Sequence, residues 1–244
     1  MAHADPSSEL ATKPLGRLLL RFAIPSIFAQ IVNLLYNIVD RIFVGRIPEI
    51  GPLALAGLGV AFPIILIISS FSFLAGMGGA PLCSIERGRG NIKEAEAIMG
   101  NSFSMMVISG VLLTVLCLIF RKPMLYLFGA SDATFPYADG YLTIYLCGTV
   151  FVMLGLGMNN FINAQGFART GMLTVTIGAA CNIILDPIFI FALGMGVQGA
   201  ALATILSQGI SCAWILRFLT GKTTTLRLQL RYARLRGSVI LPCI

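Results

Sequence analysis

Charge is what this 244-residue sequence has least of. Asp, Glu, Lys and Arg together make up 11% of it, against 57% hydrophobic residues and a mean hydropathy of +0.90. An average soluble domain is about 25% charged. A water-soluble chain of this composition would have to cover nearly every helix on all sides, which a protein this size cannot arrange. Histidine is almost missing too, with the single His3 close to the N-terminus. No nucleophile is set beside a base, and there is no Walker sequence and no GxGxxG, so nothing in the sequence points to an enzyme or a resident cofactor. Cys83, Cys117, Cys147, Cys181, Cys212 and Cys243 lie far apart without CxxC spacing. They read as small hydrophobes rather than as a metal site or a disulfide framework.

What the sequence does have is long apolar runs, of the length that crosses a lipid bilayer. Six spans are predicted, at roughly 17–44, 52–83, 95–120, 137–161, 171–193 and 197–219. The expected fold class is therefore all-α and integral to a membrane, a six-transmembrane-helix bundle. Residues 1–14 are expected as a tail, 15–220 as the bundle and 221–244 as a basic segment. The first apolar run is too long for a signal-peptide core and has no small-x-small site after it, so it is expected to be retained. Pro63, Pro81 and several Gly predict an irregular or tilted second span. A polar connector is expected at ERGRGNIKEAE (86–96), its tail starting the third helix, a polar break at FGASDATFPYADG (128–140), and tight turns at ARTG (168–171) and LGMG (193–196).

Basic residues set the expected orientation. With a cytoplasmic N-terminus, thirteen Lys and Arg fall on inside segments, and Arg41, Arg46, Arg121 and Lys122 fall outside. The net charge of +7 is then explained by topology and does not call for nucleic acid. The basic C-terminal segment is placed to touch anionic lipid.

Polar side chains recur inside the apolar runs at helical spacing. Gln30, Asn33, Asn37 and Asp40 are 3, 4 and 3 apart, with Tyr36 four before Asp40, so they share one side of a helix. Two readings of Asp40 are open. It is solvated at the outer helix end beside Arg41, or it faces a protein interior or water-filled cavity at the end of a polar stripe. In the fifth span Asn182 precedes Asp186 by one turn, and Pro187 follows, which frees carbonyls one turn back. A carboxylate, an amide and loose carbonyls are hard oxygen ligands, suited to a small cation such as Na+ or to a proton. Withdrawing a carboxyl from water favours its protonated form, the property a proton-coupling residue needs. The alternative is a neutral Asp186 that only packs helices. Thr204, Ser207, Gln208 and Ser211 share helical spacing in the sixth span. Thr204 is a candidate hydroxyl ligand, while Gly199 and Ala203 read as a packing seam. Asn159, Asn160, Asn163 and Gln165 crowd the end of the fourth span, as cavity lining or as interfacial polar residues.

The same segments carry a resemblance. PSIFAQIVNLLYNIVDRIFVG (25–45), GPLALAGLGVAFP (51–63), RGRGNIKEA (87–95), NAQGFARTG (163–171) and NIILDPIFIFALGMGVQGAALAT (182–204) resemble, in order, the N-terminal half of multidrug and toxic compound extrusion (MATE) transporters. The resemblance implies twelve helices in two six-helix lobes, of which this chain supplies one. It implies a central cavity that alternates access, and H+ or Na+ entry driving export of cationic or amphipathic organic compounds. It places a coupling-cation site on Asp40, Asn182, Asp186 and Thr204, with Asn33, Tyr36 and Asn159 as cavity or proton-path neighbours; Gln30, Asn37 and Asn163 extend that lining. Residues 221–244 then correspond to a cytoplasmic inter-lobe linker and the start of a seventh helix. The expected partners are the bilayer of the plasma membrane, an organic substrate, and a missing C-terminal lobe or a second copy of this chain. Two other readings are a non-transporting fragment that needs a second lobe, and a lipid-linked oligosaccharide flippase. The near-absence of Lys and Arg inside the spans favours cationic cargo over the latter.

Overall fold

The computed structural model describes residues 15–221, 223–229 and 232. The expected N-terminal tail and the start of a seventh helix lie outside the described residues. Every regular element of the described chain is a helix: α1 (Leu15–Gly45), α2 (Gly51–Gly88), α3 (Ile92–Leu127), α4 (Phe135–Cys147), α5 (Thr149–Ala164), α6 (Ala168–Pro187), a π-helical turn (Ile188–Ala192) and α7 (Gly196–Thr220). Five helices are long and apolar enough to cross a membrane, and six spans result when α4 and α5 count as one. That is the number of spans expected from the apolar runs.

Local chemistry sets the helix ends. Between α1 and α2 the chain turns through Glu49 at φ 66°. A Cβ on Gly51 would sit 2.2 Å from the Gly45 carbonyl oxygen, so only glycine fits where the two helix ends approach. Pro52 follows, with its φ already set for a first helical turn. Between α2 and α3, Glu86 accepts from Arg89 Nη1 at 2.6 Å and Asn91 Nδ2 at 2.7 Å, and Gly90 takes φ 84°. At 38 and 36 residues, α2 and α3 run about 57 and 54 Å at 1.5 Å per residue. Both exceed a hydrocarbon core of about 30 Å, so their ends project beyond it.

Two expectations about the helices are corrected. The second span is not irregular; it is one unbroken helix through Pro63 and Pro81. Each proline removes a single N–H donor, and the packed side formed by Ala61, Ile64 and Ile68 carries the helix past Pro63. The turn expected at 168–171 is the first turn of α6, because the chain reverses earlier, at Gly166 with φ 90°. The fourth span is not straight. α4 and α5 meet at Gly148 with a 61° bend. A Cβ there would lie 2.4 Å from Cγ2 of Ile205 on α7, so the elbow exists where another helix occupies the side-chain space.

Two apolar clusters hold the bundle. One centres on Ile64, Ile68, Leu142 and Leu146, the other on Met99, Met106, Phe161 and Ile215, all fully or almost fully buried. Between them α2 and α5 touch backbone to backbone: a Cβ on Gly76 would stand 2.8 Å from Gly157 Cα, and Ser72 Oγ donates to the Met153 carbonyl at 2.7 Å. Close approach at small residues is how helices pack where lipid removes the hydrophobic drive. The five cysteines among the described residues are free. α1 is the least embedded of the membrane-length helices and packs chiefly on α6. Its outer side exposes Leu19, Leu20, Ile24, Ile27 and Leu34.

Candidate functional site

α1 and α6 bring the two carboxyls together. Asp186 is fully buried and Asp40 is 8% exposed. Their carboxyl groups face each other within hydrogen-bonding reach. Asn182, one turn before Asp186 on α6, donates from Nδ2 to Asp186 Oδ1 at 3.2 Å and to Thr204 Oγ1 of α7 at 3.5 Å. The four side chains Asp40, Asn182, Asp186 and Thr204 therefore meet in one place, contributed by three helices. Asp40 Oδ1, Asn182 Oδ1 and Asp186 Oδ2 are buried with no protein hydrogen-bond partner. Two carboxyls this close do not both ionise cheaply. Joining their oxygens takes a shared proton or a cation, and the unsatisfied donor set, all oxygen, fits a small hard cation. Among the described residues no three His, Cys, Asp or Glu come together, so a cation here would be held by two carboxyls with amide and hydroxyl oxygens.

A cavity of about 220 Å³ runs from this cluster between α1, α5, α6 and α7. Asn182, Thr204 and Tyr36 form its end at the carboxyls, and Gln30, Asn33, Asn159 and Asn163 line its wall. Its lining holds no Lys, Arg, Asp or Glu. Small residues make the room: a Cβ on Gly171 would lie 2.2 Å from Asn163 Oδ1, and one on Gly155 would meet Gln208 Oε1 at 3.1 Å. Asn159 donates weakly to the Gly171 carbonyl at 3.4 Å while its Oδ1 stays unpartnered, as does the buried hydroxyl of Ser207.

One expected residue stands apart. Asn37 is exposed, donates to the Asn33 carbonyl of its own helix at 2.7 Å and does not line the cavity. With 3.6 residues per turn it sits about 60° round from Asp40, whereas Asn33 sits about 20° away. Other members were not singled out from sequence. Tyr141 of α4, 6% exposed, lies near enough to interact with Thr204 and Asp40 and stacks on Tyr145 at 6.0 Å between ring centres. Its spacing from Tyr145, one turn on, is the available signal. Ser26 and Thr174 also line the cavity; short hydroxyl residues in apolar helices carry too weak a pattern to stand out.

The MatE family model matches residues 25–188. The chain is 30% identical over 202 residues to the FAD transporter of Shewanella oneidensis, covering 81% of this chain and 44% of that protein. It is 26% identical over 216 residues to the multidrug export protein MepA of Staphylococcus haemolyticus, covering 88% and 47%. Among solved structures it superposes on an outward-facing multidrug resistance MATE family transporter of the MOP superfamily, with TM-score 0.85 and 27% identity over 98% of this chain and 51% of that one. It also superposes on a MOP superfamily transporter from Pyrococcus furiosus, described by a binding pocket of reverse polarity, with TM-score 0.89 and 26% identity over 100% and 53%. The chain spans about half the length of the curated relatives it matches. A six-span bundle with a buried carboxyl pair, matched by the family model over two thirds of its residues, places this chain in the MatE (multidrug and toxic compound extrusion) family of membrane transporters.

Proposed function

We propose that this chain is the N-terminal lobe of a cation-coupled antiporter that exports cationic or amphipathic organic compounds across the plasma membrane. The observation that carries the reading is the buried Asp40–Asp186 pair, with Asn182 and Thr204 beside it, at the end of a charge-free polar cavity. A proton or Na+ entering between the carboxyls removes their mutual repulsion and draws α1 toward α6. Asn182 holds Asp186 through its Nδ2 and turns its free Oδ1, with Thr204 Oγ1, toward the entering ion. Because α1 and α6 also form the cavity wall, that movement reshapes the space open to an organic substrate. Moving one charge across 100 mV yields about 2.3 kcal/mol, enough for about a fifty-fold concentration ratio.

Multidrug export and FAD transport are the activities named for the relatives, and an amide-lined cavity without fixed charge accommodates either kind of amphipathic cargo. The orientation that fits the basic residues puts the N-terminus and the segment after α7 in the cytoplasm. A lobe of this length takes a second lobe, separate or a second copy, to enclose a substrate path.

The test is reconstitution of the chain in liposomes, alone and with a C-terminal lobe from a relative. Efflux of a fluorescent organic cation is followed under an imposed Na+ or pH gradient. Gradient-driven efflux that Asp186→Asn abolishes supports the reading. Efflux indifferent to both gradients and to Asp186→Asn ends it.

A further inference from the structure

After α7 the chain does not leave the lobe; it folds back across the helix ends. Gln165, the residue that ends α5, is 1% exposed, and its Oε1 accepts from Thr224 Oγ1 at 2.7 Å, Leu226 N–H at 2.9 Å and Thr225 Oγ1 at 3.1 Å. Glu96 in the first turns of α3 is 7% exposed. Its two oxygens take the Arg227 N–H at 3.0 Å and Gln229 Nε2 at 2.8 Å. Leu228 N–H returns to the Leu219 carbonyl of α7 at 2.9 Å, and Leu226 is buried in the second apolar cluster. Arg87 Nη1 at the end of α2 donates to the Gln165 carbonyl at 3.0 Å, so four helix ends meet under this segment. Gly100 leaves the space for its far end: a Cβ there would be 2.8 Å from both Cβ and the carbonyl oxygen of Tyr232.

We propose that residues 224–229 are a strut fixed to the lobe rather than a tether, and that Gln165 and Glu96 are the positioning residues that seat it. The physical reason is the cost of removal. A buried carboxylate and a buried amide oxygen need donors, and the five donors described here come from this one segment. Gln165, which seats the segment, follows Asn163 of the cavity wall by two residues at the same helix end. Residues 224–229 thus move with α3 and α5 as part of the lobe. This inference does not depend on what the cavity carries.

Hydrogen–deuterium exchange of the full chain in lipid nanodiscs tests it. The amides of Leu226, Arg227 and Leu228 should exchange as slowly as the ends of the helices. Gln165→Ala and Glu96→Ala should each speed them about tenfold or more, while Gln165→Glu, which keeps an acceptor oxygen, restores protection. Where Gln165→Ala loosens α5 as well, Gly100→Ala decides. It favours its own helix yet blocks the seat of Tyr232, so it should free this segment while α3 stays protected. Free-chain exchange of these amides in the unmodified protein would overturn the proposal. So would protection unchanged in Gln165→Ala, Glu96→Ala and Gly100→Ala.

Discussion

Asn182 sits one helical turn before Asp186 and holds one oxygen of that carboxyl at 3.2 Å, while the other oxygen, buried, has no donor from the protein. The amide orients the acid without satisfying it. Each acid of the pair keeps one buried oxygen that the protein does not satisfy.

Asp186→Asn and Asp40→Asn should each abolish gradient-driven export when this lobe is paired with a second one. Each replaces a buried acid by a neutral side chain of similar shape, so folding should survive: the protein level in membranes and the thermal unfolding midpoint should match or exceed the parent's. Drug export retained in both variants would remove the pair from the mechanism.

Asn182→Ala removes the donor to Asp186 and the contact to Thr204 together. It also takes the free Asn182 Oδ1 out of the oxygen set. Na+ affinity of the purified lobe, measured by calorimetry, should fall about tenfold or more. An unchanged affinity would show that Asn182 is packing only.

Asn33 and Asn37 should part company. Asn33→Leu puts apolar bulk into the cavity wall and should cut substrate binding or export severalfold. Asn37→Leu changes an exposed position and should leave both unchanged. The pair is compared in one efflux assay, with membrane levels matched.

Gly76→Ala should destabilise the lobe by about 1–3 kcal/mol, the usual cost of overpacking, because the new Cβ meets the backbone of Gly157. Gly157→Ala should cost less, since the Cβ it adds strikes first the flexible end of Met106. Thermal unfolding in one detergent ranks the two.

The six spans were legible because a bilayer demands about twenty apolar residues per crossing, and the carboxyl cluster because 3- and 4-residue spacings place side chains on one side of a helix. What was not legible came from distant parts of the chain. The elbow at Gly148 is dictated by Ile205, which no local pattern around residue 148 reveals. Asn37 fell outside the cavity because a spacing argument resolves helix sides only to within tens of degrees. Tyr141 joins the site through α4, whose apolar pattern gives no warning. Residues 224–229 read as a basic linker, and only Gln165 and Glu96, 60 and 130 residues earlier in round figures, turn them into fixed structure.

α1 carries half the acidic pair, yet it is the helix least surrounded by its neighbours in this lobe. Two apolar clusters lock α2, α3, α4, α5 and α7 to one another, and no side chain of α6 and only Val44 of α1 is among their buried members. The acidic pair is thus a clasp formed by the two helices that lie outside both clusters. Parting α1 from α6 would separate the acids while both clusters stay packed, so the proposed ion release would cost only the contact between those two helices.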